Sequence, residues 1–237
     1  MSGGEVGRII RAGAVLLALL ALFFWLSRYF PPGYRPFAAL KLNDPPTLIT
    51  RIKLRLLAGD PAACMRIINQ AREAGMIAFS LPGDSRGECP LVAPVRVRNF
   101  GAVRLSSSFL ASCPLALSSA MWVAQVAAPQ AQQQFGVGLA RIDHLGSYAC
   151  RNVYHRPVGR RSEHATAEAL DIAGFRLANG RRLRVLNDWA SSDASGRYLR
   201  TLFQEGCGFF GSALGPEYNA AHANHFHLGM RGYGVCR

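Results

Sequence analysis

Ala169-Leu170-Asp171-Ile172-Ala173 and Asn224-His225-Phe226-His227-Leu228 both alternate between apolar and polar or small residues with a period of two. Successive side chains of a β-strand point to opposite faces. Phe226 and Leu228 would therefore face a core while His225 and His227 share a cleft. In the first stretch Leu170 and Ile172 face inward, and Asp171 points outward between two alanines. His164 precedes Asp171 in Ser162-Glu163-His164-Ala165-Thr166-Ala167-Glu168. No single element brings His164 to Asp171, so its loop must fold back over the strand. If the two strands are sheet neighbours, two imidazoles and a carboxylate converge.

That convergence has a chemistry. Three protein ligands, His164, Asp171 and His227, with a fourth position left open form a catalytic rather than a structural zinc site. Such an ion polarises a carbonyl and brings the pKa of water toward ~7. His225 then sits beside it, either moving a proton or stabilising an oxyanion, two roles the sequence leaves open. Read singly, each residue has a plainer role: a packed histidine, as expected of His144 and His155, or a turn-capping aspartate. The combination of His-x6-Asp with His-x-His is what makes the reading specific. Arg151, Arg160 and Arg161 are candidates for gripping a substrate carboxylate through bidentate hydrogen bonds, although a solvated charge run would look the same. Ser162 either orients the His164 loop or touches substrate, and Tyr154 is a weaker candidate. Glu163 and Glu168 read as surface or loop residues.

The chain of 237 residues opens with a targeting segment. Arg8 and Arg11 precede the apolar run from Ala12 to Leu26, and Trp25, Tyr29 and Phe30 follow at its outer end. The run approaches the ~20 residues of a membrane span. Bulky residues stand where a cleaved signal peptide needs small ones, so an uncleaved anchor is expected. This gives a cytoplasmic stretch 1–11, an anchor 12–30, an extended Pro-rich linker 31–46 and an exported domain 47–237, attached to the membrane by a single pass. All six cysteines follow the anchor, as expected of disulfides in an exported chain. Local pairing gives Cys64–Cys89, Cys113–Cys150 and Cys207–Cys236. The net charge of +13 suits an anionic partner, a cell-wall polymer, lipid headgroups or nucleic acid, and the address argues against nucleic acid.

The rest of the chain supports one α+β domain with a central, mostly antiparallel sheet and flanking helices. Thr47–Leu57 predicts a short amphipathic helix; Asp60-Pro61 caps and starts another, running to Ala74. Met76–Leu81 reads as a strand, and Val92–Arg98 with Ala102–Leu105 as a hairpin. Ser112 caps a long Ala- and Leu-rich helix over 114–127, extended by 130–135 after Pro129. Val137–Ile142 and Tyr148–Val153 look extended. Asn179-Gly180 turns a hairpin between 169–177 and 182–186, and Asp193 caps a helix to Glu205.

These residues also resemble a known group. Ser162, His164, Ala169 and Asp171, with Ala167 in a position usually held by Gly, are similar to the Ser-x-His-x-x-Gly-x-Ala-x-Asp signature of zinc peptidases. That group includes D-Ala-D-Ala carboxypeptidases and murein endopeptidases, with lysostaphin-type enzymes and hedgehog domains more distant; His225 and His227 match its His-x-His. The chain resembles the bacterial extensin-like C-terminal family more closely, in Cys150-Arg151-Asn152-Val153-Tyr154, in 159–175 and in 218–237. In that family Asp commonly stands where Asn224 and Gly229 stand here, so two carboxylates that would orient the ligands are missing. The resemblance implies a hedgehog/DD-peptidase-like fold. It also implies Zn2+ held by His164, Asp171 and His227, His225 as base or transition-state stabiliser, and His222 near the metal. The implied activity is hydrolysis of a peptide bond in peptidoglycan, by carboxypeptidase or endopeptidase action. The alternative is a cell-wall-binding domain that keeps its zinc without cutting. A purely structural zinc site would need His225 as fourth ligand, against the alternation.

Overall fold

The computed structural model describes residues 3–232 and 234–237. Met1 and Ser2, the start of the expected cytoplasmic stretch, lie outside the described residues, as does Tyr233 within the expected domain. Helix α1 (Gly3–Ser27) begins well before the expected anchor, and its apolar stretch is long enough to cross a membrane. The segment 31–46 is not an extended tether. Leu40 and Asp44 are buried, and the Gln125 side chain donates to the carbonyls of Leu42 and Asp44 at 2.8 and 3.2 Å. Proline-rich composition fixes local dihedrals but says nothing of what the segment lies against.

Helices α2 (Leu48–Leu56) and α3 (Pro61–Glu73) follow, started by Thr47 and Asp60, whose side chains accept the backbone N–H groups of Thr50 and Ala63. Strand β1 (Ala78–Ser80) pairs with β2 (Val95–Phe100), which turns through Gly101 into β3 (Val103–Ala111). Helix α4 (Cys113–Trp122) is buried on every side, as its Ala- and Leu-rich sequence demands. It passes through a π-turn (Val123–Ala127) into α5 (Ala128–Phe135). Pro129 lacks an N–H to continue the α-helical ladder, and the wider turn absorbs the loss without ending the rod.

Strand β4 (Leu139–Gly146) leads by a long loop to β5 (Ala169–Leu177), β6 (Arg182–Arg184), α6 (Val185–Asp188), α7 (Ala194–Gly206), β7 (Ser212–Leu214), β8 (Phe226–Gly229) and β9 (Val235–Cys236). The sheet order is β1-β2-β3-β4-β5-β8-β7-β9, with β6 beside β5. Most pairs are antiparallel; β3–β4 and β7–β9 are parallel. The 148–153 segment is not a strand: it makes one bridge, Asn152 to Arg161, and then a 3₁₀ turn (Val153–His155).

One face of the sheet carries the core. Phe175 packs edge-on against Tyr198, and Phe226 meets Trp189 and Phe203. The buried polar tips are satisfied, with Trp122 Nε1 donating to the Leu202 carbonyl and the Tyr198 hydroxyl to that of Ala127. Strict alternation along β5 would put Ile172 and Phe175 on opposite faces. The register against β4 steps from Gly174 to Ile172, leaving Ala173 as a bulge, and both large side chains are buried.

Two expected disulfides are corrected. The pairs are Cys64–Cys113 and Cys89–Cys150, not Cys64–Cys89 and Cys113–Cys150, while Cys207–Cys236 is as expected. Helix packing overrides sequence proximity: the start of α3 lies against the start of α4, and Cα atoms 64 and 113 are 6.1 Å apart. The loop before β2 likewise lies over the segment after β4, where the Tyr148 hydroxyl donates to the Cys89 carbonyl at 2.7 Å.

Candidate metal site

β5 and β8 are antiparallel neighbours, and Asp171 stands directly opposite His227. Directly opposed residues share a face with their Cβ atoms about 5 Å apart. Phe226 and Leu228 are fully buried on the other face, so the alternation read in the sequence holds here. His227 Nδ1 lies 2.9 Å from Asp171 Oδ1.

His164 arrives by the loop that folds back. Ser162 starts a 3₁₀ turn (Glu163–Thr166) by accepting the His164 N–H, and Ala167 closes it in the left-handed region at φ 52°. A left-handed backbone favours Gly, which has no Cβ to strain it. The Ala149 N–H donates to the His164 carbonyl and the Ser112 N–H to that of Ala167, fastening the turn to the body. A carbonyl only accepts, so His164 Nδ1, 2.6 Å from the Ser147 oxygen, carries the proton. The Nε2 lone pair then points at Asp171 Oδ2, 3.2 Å away, buried and making no hydrogen bond.

A buried lone pair facing a partly buried carboxylate is best satisfied by a proton or a cation between them. The ligand atoms of His164, Asp171 and His227 all lie within 4.8 Å of one another, so the three form a group able to hold a metal ion. Burial opposes the Asp171 charge, yet the two imidazoles hold its pKa well below the ordinary carboxylate range. Burial likewise opposes charge on His164, and Asp171 outweighs it and raises the pKa.

His225 lies just before β8, its Nε2 3.6 Å from Asp171 Oδ1. Its Nδ1 is 2.7 Å from Asn224 Oδ1, so Asn224 does for this imidazole what an aspartate would do, without the charge. Burial lowers the His225 pKa and keeps the ring neutral. The His222 ring stands 5.3 Å from that of His225 and 5.7 Å from that of His227, and burial with these neighbours pushes its pKa down to about 4.

These groups open on a cleft of about 530 Å³. Arg151, Arg160 and Arg161 all line it, with Arg161 held at 2.7 Å by Glu88. The Cys89–Cys150 bridge stands immediately before Arg151 and fixes its backbone. Exposed Tyr154 and His155 also line the cleft, whereas His144 stands apart, edge-on to Phe109. Ser162 is buried as the cap of the His164 turn, which makes it an orienting residue.

Two acids and one arginine have contacts that the sequence did not show. Glu163 and Glu168 lie in the loop before β5, as expected, but Glu163 also lines the cleft, and burial raises its pKa. A Cβ on Gly229 would collide with its carboxylate and with Ser212 Oγ. The Glu163 carboxylate thus occupies the space that a side chain at 229 would take. Arg231 donates to Glu168 at 2.7 Å and to Thr166 at 2.6 Å, and its backbone N–H reaches Glu163. No local pattern flags these residues, because the contacts span more than sixty positions.

No curated protein and no solved structure matches the chain. Residues 62–237 match the family described as Extensin-like protein C-terminus. That match spans well over half the sequence and takes in the cleft and every residue of the metal-binding group, and the chain belongs to the extensin-like C-terminal family.

Proposed function

We propose that the protein is a zinc-dependent peptidase of peptidoglycan, anchored in the bacterial inner membrane with its domain in the periplasm. The observation that carries this reading is the His164–Asp171–His227 group, with a neutral imidazole, His225, at its side and an open cleft in front. Two nitrogen donors and one carboxylate oxygen are a set that suits Zn2+ and leaves a coordination position free. Bound there, the ion would polarise a scissile carbonyl and acidify water. The proposal includes kinship with the D-Ala-D-Ala metallopeptidases and their hedgehog/DD-peptidase-like fold, which the mixed α+β architecture supports only coarsely.

The protein's own groups do the rest. His164 is locked by Ser147 with its Nε2 free, and His227 is held against Asp171, so the donors are set in place before any ligand arrives. His225 presents its Nε2 lone pair as the proton acceptor, because Nδ1 donates to Asn224 and burial, which lowers its pKa, leaves the resting ring unprotonated. Arg151 and Arg160 offer guanidinium groups to a substrate carboxylate, as a stem peptide carries. Arg161 contributes less, since Glu88 already engages it.

The test is the whole chain, purified with zinc in mild detergent and incubated with intact sacculi. New muropeptides, identified by mass, are expected with the protein as it is and not with His164→Ala. An identical product profile for the two would move the reading to a cell-wall-binding domain.

A further inference from the structure

Helix α2 wears its apolar residues on the outside. It buries Thr50 and Leu54, whereas Leu48, Ile52 and Leu56 are 62%, 43% and 69% exposed. Residues four apart share a helix face, so these three make one apolar strip about 12 Å long. The strip lies next to the end of α1. The Thr47 hydroxyl, at the cap of α2, donates to the Gly33 carbonyl, six residues past the end of α1. The Phe37 ring, 59% exposed, stands 4.9 Å from that of Phe24 and 6.1 Å from that of Phe23. On the flank of the strip a small cavity of about 100 Å³ is lined by Arg35, Lys41 and Lys53. Asp44 also lines it, its carboxylate engaged by the Lys41 backbone N–H at 3.0 Å.

We infer that this face rests on the surface of the bilayer that α1 enters, with Leu48, Ile52 and Leu56 at the acyl boundary and Arg35, Lys41 and Lys53 around a lipid phosphate. An apolar strip rimmed by cations is the pattern of a helix lying in the membrane interface. Three side chains are too few for a stable protein interface, which needs roughly 1,000 Å² in all. Continuity with α1 supplies the bilayer at the required place. The inference rests on α1 being retained as a span, and not on peptidase activity. It also has a bearing on the cleft: the Arg55 guanidinium, on α2, donates to the carbonyl of Gly232 in the cleft wall. The cleft would then work close to the membrane.

All six native cysteines are in disulfides, so Leu56→Cys gives one free thiol for an environment-sensitive fluorophore. The labelled whole chain is reconstituted into vesicles of phosphatidylcholine with phosphatidylglycerol, some bearing brominated acyl chains. The label should be quenched by the brominated lipid, while a label at Arg98→Cys, exposed on β2 toward the opposite edge of the sheet, is not. Quenching at 56 should weaken in pure phosphatidylcholine, and Arg35→Gln/Lys41→Gln/Lys53→Gln should abolish that lipid dependence. An unquenched label at 56, or quenching equal at both positions, overturns the inference. So does a chain that fails to co-float with vesicles, since anchorage is its premise. Quenching at 56 that ignores both headgroup and triple variant removes the phosphate site.

Discussion

A side chain at position 229 has nowhere to go while Glu163 keeps its present place, because a Cβ there meets the Glu163 carboxylate and Ser212 Oγ. The clashing atoms belong to movable side chains, so Gly229→Ala should displace them and destabilise the protein by about 1 kcal/mol, the low end of the range for overpacking. Glu163→Ala should relieve it, giving a coupling of order 1 kcal/mol in a double-mutant cycle read by denaturant unfolding. Additive effects would mean that the two do not compete for one space. Ala167 holds a left-handed backbone that costs a residue with a Cβ about 1–2 kcal/mol. Ala167→Gly, after the entropy of a more flexible unfolded chain, should raise stability by up to about 1 kcal/mol. His225→Ala should leave metal content unchanged while lowering turnover about 10²- to 10⁴-fold, the range for a lost general base. Metal content by mass spectrometry and the muropeptide assay read the two effects separately. The three residues of the metal-binding group were legible in the sequence because each lies in a short pattern. Glu163 was not, because its role depends on the absence of a side chain on another strand.

Pairing across β4 and β5 adds a charge cluster, Asp143 between Arg141 at 2.6 Å and Arg176 at 2.8 Å. Burial works against the Asp143 charge, but the two guanidinium groups depress its pKa. A depressed carboxylate stabilises the fold above its unfolded pKa of about 3.9 and loses that contribution as pH falls through the folded value. Asp143→Asn should therefore cost about 0.5–1 kcal/mol at neutral pH, discounted for partial exposure. The difference from the parent should close in acid, and a gap that persists there would contradict the pairing. Period-two reading captured β8 and the first half of β5, where one face is core and the other cleft. The strand itself was expected over 169–177, as observed, but the change of face past Ala173 was not legible, because the bulge is set by β4, a partner distant in the chain. The disulfides failed for the same reason: α3 lying on α4 is tertiary packing, invisible to cysteine spacing. Cys64→Ala/Cys113→Ala should cost about 3–4 kcal/mol for a closed loop of 49 residues.

Across the whole molecule the sheet divides labour: helices cover one face, and the histidines and Asp171 stand on the other, with the His164 turn folded over them. Mixed α+β architecture was readable from separate blocks of helix and hairpin signals. The parallel β3–β4 and β7–β9 pairs and the folding of 31–46 onto the domain were not, since neither leaves a local trace. On the proposed function, architecture and chemistry meet at one place, the His164–Asp171–His227 group between β5, β8 and the turn before β5, which would hold a single cation. Crystals grown with zinc and measured at its absorption edge would show this as an anomalous difference peak. One peak about 2.0–2.2 Å from His164 Nε2, an Asp171 carboxylate oxygen and a His227 ring nitrogen is expected, with His225 outside bonding distance. A peak elsewhere, no peak at all, or His225 closing the fourth position would contradict the account.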